Sequence, residues 1–512
     1  MLFSSVAFIF LYLPVVLATL LFLQSRGLVD LAKMWLIVTS IVFYGNFIPI
    51  HLALLVVSTL VNFTLGRALL ERRSGRILFV GVVLNLAVLI AFKYSDFLIT
   101  NANAALNLNI PTIGLVIPLA LSFFTFQKLA YLIDVYRGGA PRYSLRDFVL
   151  FVVFFPQLIA GPIVHHRTIM PQIAKLGARR DFALDLAVGA TAFLLGLFKK
   201  VCLADSLSIY SDVTFGAVEQ GEHIDLISAW AGAIAFALQI YFDFSGYSDM
   251  ALGLGRMLGI RLPVNFLSPY KSTSIIEFWR RWHITLSDFL KNYLYIPLGG
   301  NRHGAVRRYA NLWIVMLLGG LWHGANWTFF VWGGLHGLFL SVNHAYRNWP
   351  RRARRSGFGA TYLSWAITMT AVLVAWVFFR APNFTTAFAM LSAMSGHNGI
   401  TLPSAALPLA TIAPALVAGF GISFGGLGYL AAAGPLYLLW FPIGIIVCLA
   451  VPNTAEWLAR WELAINYTVQ NKRGIFPLYW AANLPWGLTF GALLAFCMLY
   501  QRTAAQFLYF QF

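Results

Sequence analysis

Residues 313–337 read WIVMLLGGLWHGANWTFFVWGGLHG. Two apolar runs, 310–323 and 326–343, flank a short turn that carries His323, Gly324, Ala325 and Asn326. Neither run alternates polar and apolar residues, which excludes barrel strands. In lipid every backbone group must be bonded within the protein, so continuous runs of this kind read as helices. The pair reads as a hairpin that returns to the side it came from. Gly319, Gly320, Gly324, Gly333, Gly334 and Gly337 remove side chains where the two helices meet, as close helix approach in a bilayer requires.

Working outward, the whole chain has this character. Of 512 residues 60% are hydrophobic and 11% charged, and the mean hydropathy is +0.75. A soluble domain carries about 25% charged residues. Further apolar runs lie near 5–23, 34–49, 51–66, 77–95, 113–133, 148–164, 183–203, 227–252, 361–379, 405–431, 434–451 and 483–501. A bilayer-crossing helix needs roughly 20 apolar residues, so some runs are too short or broken, and about eleven to thirteen spans are expected. Phe154-Phe155-Pro156-Gln157, followed by Ala160-Gly161-Pro162, reads as a re-entrant segment. The fold class is an all-α polytopic membrane protein, one unit over residues 1–512. No repeat of fixed period appears, which argues against an inverted-repeat transporter.

The net charge of +18 would suggest a nucleic-acid partner in a soluble protein. Here the basic residues lie in short loops and mark the cytoplasmic side, and no nucleic acid is expected. Arg67, Arg72, Arg73 and Arg76 belong to one such loop, and Arg137, Arg142 and Arg146 to a second. Arg167, Lys175, Arg179 and Arg180 mark a third, and Arg302, Arg307, Arg308, Arg347, Arg351, Arg352, Arg354 and Arg355 join them. Loops 101–111, 212–225 and 383–405 are uncharged or acidic and should face outward. Residues 1–23 read as the first membrane segment, since no basic region precedes Phe3 and no small-residue cleavage site follows. Cys202, Cys448 and Cys497 lie in or beside apolar runs and read as buried thiols.

Just before the hairpin, residues 274–294 predict one amphipathic helix. Ser274 and Glu277 fit a capping box. Glu277, Arg280, Arg281, Asp288 and Lys291 share a charged face, where Glu277–Arg281 and Asp288–Lys291 can pair. His283 falls on the apolar side, near Leu290 and Leu294. An interfacial helix with snorkelling arginines explains the charges; it leaves the histidine open to a structural, positioning or chemical role.

Histidine's ordinary pKa is near neutrality, so a neutral imidazole at membrane depth can act as a general base. An ionisable group there is a functional-site hypothesis by default. His323 is the foremost candidate, with Asn326 and His336 placed in sequence to orient its ring or bind an oxyanion. Spacing alone does not separate this from a packing motif whose histidine bonds a neighbouring helix. A metal is not expected: His323 and His336 are thirteen residues apart, not four. Asp243 and Asp249 are candidate acids, or structural partners for Arg256, Arg261, Arg280 or Arg281.

RRWHITLSDFLKNYLYIPLGG, LWHGANWTFFVWGGLHG and YFDFSGYSDMALG resemble the membrane-bound O-acyltransferase superfamily. They are most similar to its bacterial branch typified by the alginate O-acetylation protein AlgI. MLFSSVAFIFLYLP, WVFFRA, PNTAEW and the ending FLYFQF extend the resemblance over nearly the whole chain. The resemblance implies a many-helix fold around a central tunnel, a core at about 113–380 and added C-terminal membrane helices over about 400–512. It implies that His323 matches the family's invariant histidine and His283 its second histidine. Trp282, Asn292, Trp322, Asn326, His336, Arg280 and Arg281 are the expected substrate-side residues. With Arg302, Arg307 and Arg308, the last two would attract an anionic donor. The implied activity is transfer of an acetyl group from a cytoplasmic thioester, acetyl-CoA, with no bound cofactor. The acceptor is an extracytoplasmic polysaccharide such as alginate. The implied partners are the thioester donor, membrane lipid and an extracytoplasmic esterase-like acetyltransferase, and the implied location is the bacterial inner membrane. A D-alanyl transferase of teichoic acid and a transporter without chemistry are the alternatives.

Overall fold

The computed structural model describes residues 1–177, 180–348, 357–419, 422–425, 439–465, 467, 480–501 and 507–508. Arg179 and the basic group Arg351, Arg352, Arg354 and Arg355 lie outside the described residues, as do part of the 434–451 run and most of the last residues. In chain order the main helices are α1 (Leu13–Ser25), α2 (Val29–Gly45), α3 (Pro49–Glu71), α4 (Gly75–Lys93) and α5 (Ser95–Leu106). Next come α6 (Leu121–Tyr136), α7 (Leu145–Val153), α8 (Phe155–Leu158), α9 (His166–Ala174), α10 (Phe182–Phe198) and α11 (Asp205–Glu219). Then follow α12 (Leu226–Leu258), α13 (Ile275–Arg281), α14 (Ile284–Leu290), α15 (Gly304–His323), α16 (Trp327–Asn348), α17 (Phe358–Arg380) and α18 (Phe384–Met394). Shorter helices follow, among them Trp440–Leu449 and Leu484–Tyr500.

Among the described residues, six helices are long and apolar enough to cross a bilayer: Phe8–Ser25, Pro49–Glu71, Gly75–Lys93, Phe182–Glu219, Leu226–Leu258 and Phe358–Arg380. The described parts of the other apolar runs form helices too short, too broken or too polar to qualify by that measure. The architecture is the expected all-α membrane protein. One run behaves differently. Residues 405–431 read as one of the apolar runs. Their described part instead forms short helices at Pro408–Ile412 and Pro414–Gly419. A parallel ladder follows, in which Ile400–Pro403 (β1) pairs with Ile422–Gly425 (β2). Pro403, Pro408 and Pro414 remove backbone donors every few residues, which no continuous helix tolerates.

The centre of the molecule is α12, whose side chains are almost all buried from Ala233 onward. Asp225 caps it by accepting from the Ile227 and Ser228 N–H groups, and Gly259, at φ 84°, ends it. α10 crosses it antiparallel on two glycine pairs seven residues apart. A Cβ on Gly196 would sit 2.4 Å from the Gly246 carbonyl oxygen, and one on Gly253 would sit 2.4 Å from that of Gly189. Only glycine permits backbones this close. Lysines at the end of this contact neutralise the buried acids. Lys200 pairs with Asp243 at 2.7 Å, and Lys199 with Asp249 at 2.6 Å. Sequence spacing had offered Arg256 to these acids, but it pairs with Asp185 at 2.8 Å.

The expected re-entrant segment is present. α7 stops at Phe154, α8 turns at Pro156, and the whole of 150–164 is buried. Its broken backbone is bonded to protein: the Phe155 N–H donates to Ser40 Oγ and the Ile163 N–H to Thr285 Oγ1.

The two ends of the molecule sort as the loop charges predict. At one end Trp327 Nε1 donates to Asn101, Asn326 to the Pro382 carbonyl, Arg380 to Asp212, and Asn398 to the Ile224 carbonyl. These contacts gather the loops expected to face outward around the turn after His323. At the other end Arg142 pairs with Glu71, Arg146 with Asp30, and Arg347 donates to Ser274.

Candidate active site

The segment 274–294 is not one helix. α13 ends at Arg281, His283 adopts the left-handed conformation at φ 43°, and α14 begins at Ile284. A π-helical turn at Lys291–Tyr295 follows. No glycine or proline marks the break. It is imposed by the neighbouring strand-like stretch 265–267, where the Leu267 N–H donates to the Arg281 carbonyl at 3.0 Å. The Ile284 N–H donates to the Asn265 carbonyl, also at 3.0 Å. The start of α13 is as expected. Ser274 Oγ accepts from the Glu277 N–H, and Arg281 pairs with Glu277 at 2.7 Å. The return half of the capping box is shifted by one residue, since Glu277 Oε2 accepts from the Thr273 N–H and hydroxyl. Burial pushes the Glu277 carboxyl up, but those bonds and Arg281 outweigh it and hold the group below the usual carboxylate range.

The break buries His283 completely. Its ring lies 4.7 Å from Phe244, edge to face, and 6.1 Å from Trp322. Nδ1 is 3.1 Å from Asn265 Oδ1. The same oxygen accepts from the Thr285 N–H at 3.3 Å and the Thr285 hydroxyl at 3.0 Å.

His323 is the last residue of α15 and is buried. Trp322, Trp332 and Phe379 surround its ring at centroid distances of 4.8, 5.0 and 5.2 Å. Trp322 touches both histidines, so the two rings share one aromatic wall. The hairpin behind it depends on glycine. A Cβ on Gly320 would lie 2.3 Å from the Phe329 carbonyl oxygen, and one on Gly333 2.3 Å from that of Met316.

α4 supplies the rest of the support. Lys93 Nζ donates to the Trp322 carbonyl at 2.5 Å and to the His323 carbonyl at 2.9 Å. The Tyr94 hydroxyl donates to the Leu321 carbonyl at 2.8 Å. A helix leaves its last carbonyls without intrahelical partners, and its C-terminus favours a cation. Lys93, the last residue of α4, and Tyr94 immediately after it therefore cap three consecutive carbonyls of α15.

The other expected residues are more dispersed. His336 is buried and separated from His323 by Trp332, which lies 4.7 Å from the His336 ring; its Nδ1 accepts from Trp279 Nε1 at 3.2 Å. Asn326 does not orient His323. It accepts from the Thr328 N–H and donates to the Pro382 carbonyl, so it caps α16 and ties it to the α17–α18 turn. Trp282 is buried against Phe278, Phe266 and Trp376, and it meets the site through Phe266, which also packs on His283, and through Trp376. Arg281 is engaged by Glu277 and the Leu267 carbonyl, whereas Arg280 and Asn292 are exposed. Around the two histidines several buried polar atoms have no hydrogen-bond partner among the described residues. They include Nε1 of Trp322, Trp332 and Trp376, Nε2 of His283 and His336, and Nδ2 of Asn265.

Sequence reasoning missed Lys93, Tyr94 and Asn265, whose partners lie far away in the chain. It also missed the cluster at the opposite end, where Asp134 Oδ2 lies 3.1 Å from His165 Nε2, 3.0 Å from His166 Nε2 and 3.4 Å from Arg167 Nε. Tyr293 donates to the same oxygen at 3.1 Å. The three ligand atoms of Asp134, His165 and His166 lie within 4.8 Å of one another, close enough to share a metal ion. Arg167 already supplies positive charge to that carboxylate, and the donors already satisfy it. The adjacent pair His165-His166 was the available signal.

Comparison with known proteins gives a consistent result. The family model described as MBOAT, membrane-bound O-acyltransferase family, matches residues 140–385, which include both histidines. The peptidoglycan O-acetyltransferase of Helicobacter pylori is 41% identical, over 78% of this chain and 81% of that protein. The probable alginate O-acetylase AlgI of Pseudomonas syringae pv. tomato is 38% identical over 100% of both chains. The teichoic acid D-alanyltransferase of Streptococcus thermophilus is 29% identical over 46% of this chain and 58% of its own length.

Proposed function

Because this chain belongs to the membrane-bound O-acyltransferase family, we propose that it carries an acetyl group from acetyl-CoA on the cytoplasmic side of the inner membrane towards an extracytoplasmic polysaccharide. The chain is a multi-pass membrane O-acyltransferase. Relatives named for alginate and for peptidoglycan align over most of its length, and alginate or a related exopolysaccharide is the acceptor class. An extracytoplasmic esterase-like acetyltransferase is the expected partner. D-alanyl transfer is the lesser reading, since the D-alanyltransferase relative aligns over 46% of the chain. A transporter without chemistry is set aside by family membership.

One observation carries the reading. His323 ends a helix inside an aromatic enclosure whose indole N–H groups, with Nε2 of His283 and His336, are buried without partners among the described residues. Buried polar groups are nearly always satisfied, so a substrate's carbonyl and hydroxyl are the natural complement. In the reaction, the His323 imidazole takes the proton of the attacking hydroxyl as its oxygen bonds to the thioester carbonyl carbon. Indole N–H groups stabilise the tetrahedral oxyanion. The carbon–sulfur bond then breaks, and the imidazolium returns its proton to the departing thiolate. Ester and free thiol are the products. His283 shapes the donor side of the same wall.

His323→Ala should abolish acetyl transfer while the protein still inserts. His323→Gln should do the same, because amide replaces base; a general base contributes roughly 10²–10⁴-fold. At His283, Gln should retain measurable activity and Ala lose more. Wild-type acetylation by His323→Ala, or identical behaviour of the two histidines across the four variants, would overturn these roles.

A further inference from the structure

Asn265 lies at the bottom of the break between α13 and α14. Its side chain is fully buried, and its amide can be built two ways, with oxygen or nitrogen facing Thr285 and His283. The surroundings decide between them. The Thr285 backbone N–H, 3.3 Å away, can only donate, so the atom facing it must be the amide oxygen. The reverse orientation would set an N–H₂ group against an N–H. That oxygen is also the atom 3.1 Å from His283 Nδ1. An amide oxygen carries no hydrogen and cannot donate, so Nδ1 carries the hydrogen. In a neutral imidazole only one nitrogen is protonated. Nε2 of His283 is then a bare acceptor, and it has no partner among the described residues.

We infer that Asn265 is a positioning residue for acyl transfer: it fixes His283 in the Nδ1–H tautomer and presents a bare Nε2 for a substrate O–H or N–H. The surrounding structure holds this arrangement from several sides. Phe244 packs edge-on against the ring. The Ile284 N–H bonds the Asn265 carbonyl. Thr285 Oγ1, which donates to Asn265, also accepts from the Ile163 N–H of the re-entrant segment. A shift of the re-entrant segment would therefore reach the His283 ring through three hydrogen bonds. The kinetic consequence rests on the acyl-transfer reading above; the tautomer does not.

The test has two arms. In the first, the purified full-length protein is labelled with ¹⁵N-histidine, and the His283 signals are identified by difference against His283→Gln. Wild-type protein should show Nδ1 protonated and Nε2 bare. A wild-type His283 protonated at Nε2 overturns the proposal whatever the activity does. In the second arm Asn265→Asp keeps an oxygen in place, and Asn265→Leu removes it. The Asp variant should keep the tautomer and stay within about tenfold of wild-type kcat. The Leu variant should lose the single tautomer and fall by about a further 10- to 100-fold in kcat, with KM for the thioester little changed. A Leu variant with wild-type kcat, or an Asp variant as inactive as Leu while still showing the wild-type tautomer, overturns the positioning role. If the first arm succeeds and neither histidine variant affects acetyl transfer, the family reaction fails while the tautomer assignment stands.

Discussion

Replacing Lys93 with methionine tests whether α4 positions His323. The side chain keeps its length and loses both its charge and its three donors. The structure gives the size of the effect. Two bonds are lost, to the carbonyls of Trp322 and His323, each worth about 1.5–3 kcal/mol when the donor is charged. The ammonium also sits at the C-terminus of a 20-residue helix, a further ~0.3–1 kcal/mol. Water or a shifted lysine-like neighbour cannot replace these bonds fully in so enclosed a place, so a net loss of about 2–4 kcal/mol in stability is expected. The catalytic effect follows from geometry. The last turn of α15 carries the imidazole, and misplacing a reacting group by about 1 Å can cost on the order of 10²-fold, about 2.7 kcal/mol of barrier.

The assay is acetyl transfer by detergent-purified protein at saturating donor, together with thermal unfolding of the same preparations. Lys93→Met should lose about 10- to 100-fold in kcat with KM nearly constant. Lys93→Arg keeps a cation and donors and should recover to within about tenfold. Tyr94→Phe removes one neutral bond to Leu321 and should cost about 0.5–1.5 kcal/mol of stability, with little change in kcat. If Lys93→Met keeps kcat within about twofold, or if Tyr94→Phe damages kcat more than it does, α4 does not position the histidine.

Gly333→Ala should prevent correct packing of α15 on α16, because the added methyl meets the Met316 carbonyl oxygen at 2.3 Å and neither backbone can yield cheaply; overpacking costs about 1–3 kcal/mol or more. Thermal unfolding of that variant within about 0.5 kcal/mol of wild type would contradict the contact. For topology, single cysteines at Ser74 and Glu219 should label from opposite sides, with Glu219→Cys reached by an impermeant reagent from outside and Ser74→Cys only after permeabilisation. The native cysteines are buried and leave a low background; labelling of position 74 and not 219 from outside would invert the assigned orientation.

Much of the frame could be read from the chain because lipid leaves few options. The hairpin, its glycines, the broken segment near Pro156 and the Ser274–Glu277–Arg281 start of α13 all rest on local rules, and each appears in the structure. The described part of the apolar run 405–431 is divided into short helices by prolines whose spacing is visible in the sequence. The glycine pairs Gly189–Gly253 and Gly196–Gly246 share a seven-residue spacing. That pattern gains meaning only once α10 and α12 are known to be neighbours.

The site itself was half legible, for a physical reason. Residue type and surroundings singled out His283 and His323, since a titratable ring among tryptophans and glycines is costly in lipid. Their support was invisible because it comes from elsewhere: Lys93 lies 230 positions from His323, and Asn265 lies 18 from His283. Helical periodicity through 274–294 reports what that segment would do alone. Holding a non-glycine residue at φ 43° costs on the order of 1–3 kcal/mol, and a continuous helix would avoid it. The protein keeps the strained form because the 265–267 stretch supplies the backbone bonds that the helix gives up, and Asn265 adds the bond to the ring. A continuous helix would leave Asn265 Oδ1 without the imidazole and turn His283 towards Leu290 and Leu294. The strain at His283 is thus the physical counterpart of its orientation: the same hydrogen bonds that break the helix aim the imidazole.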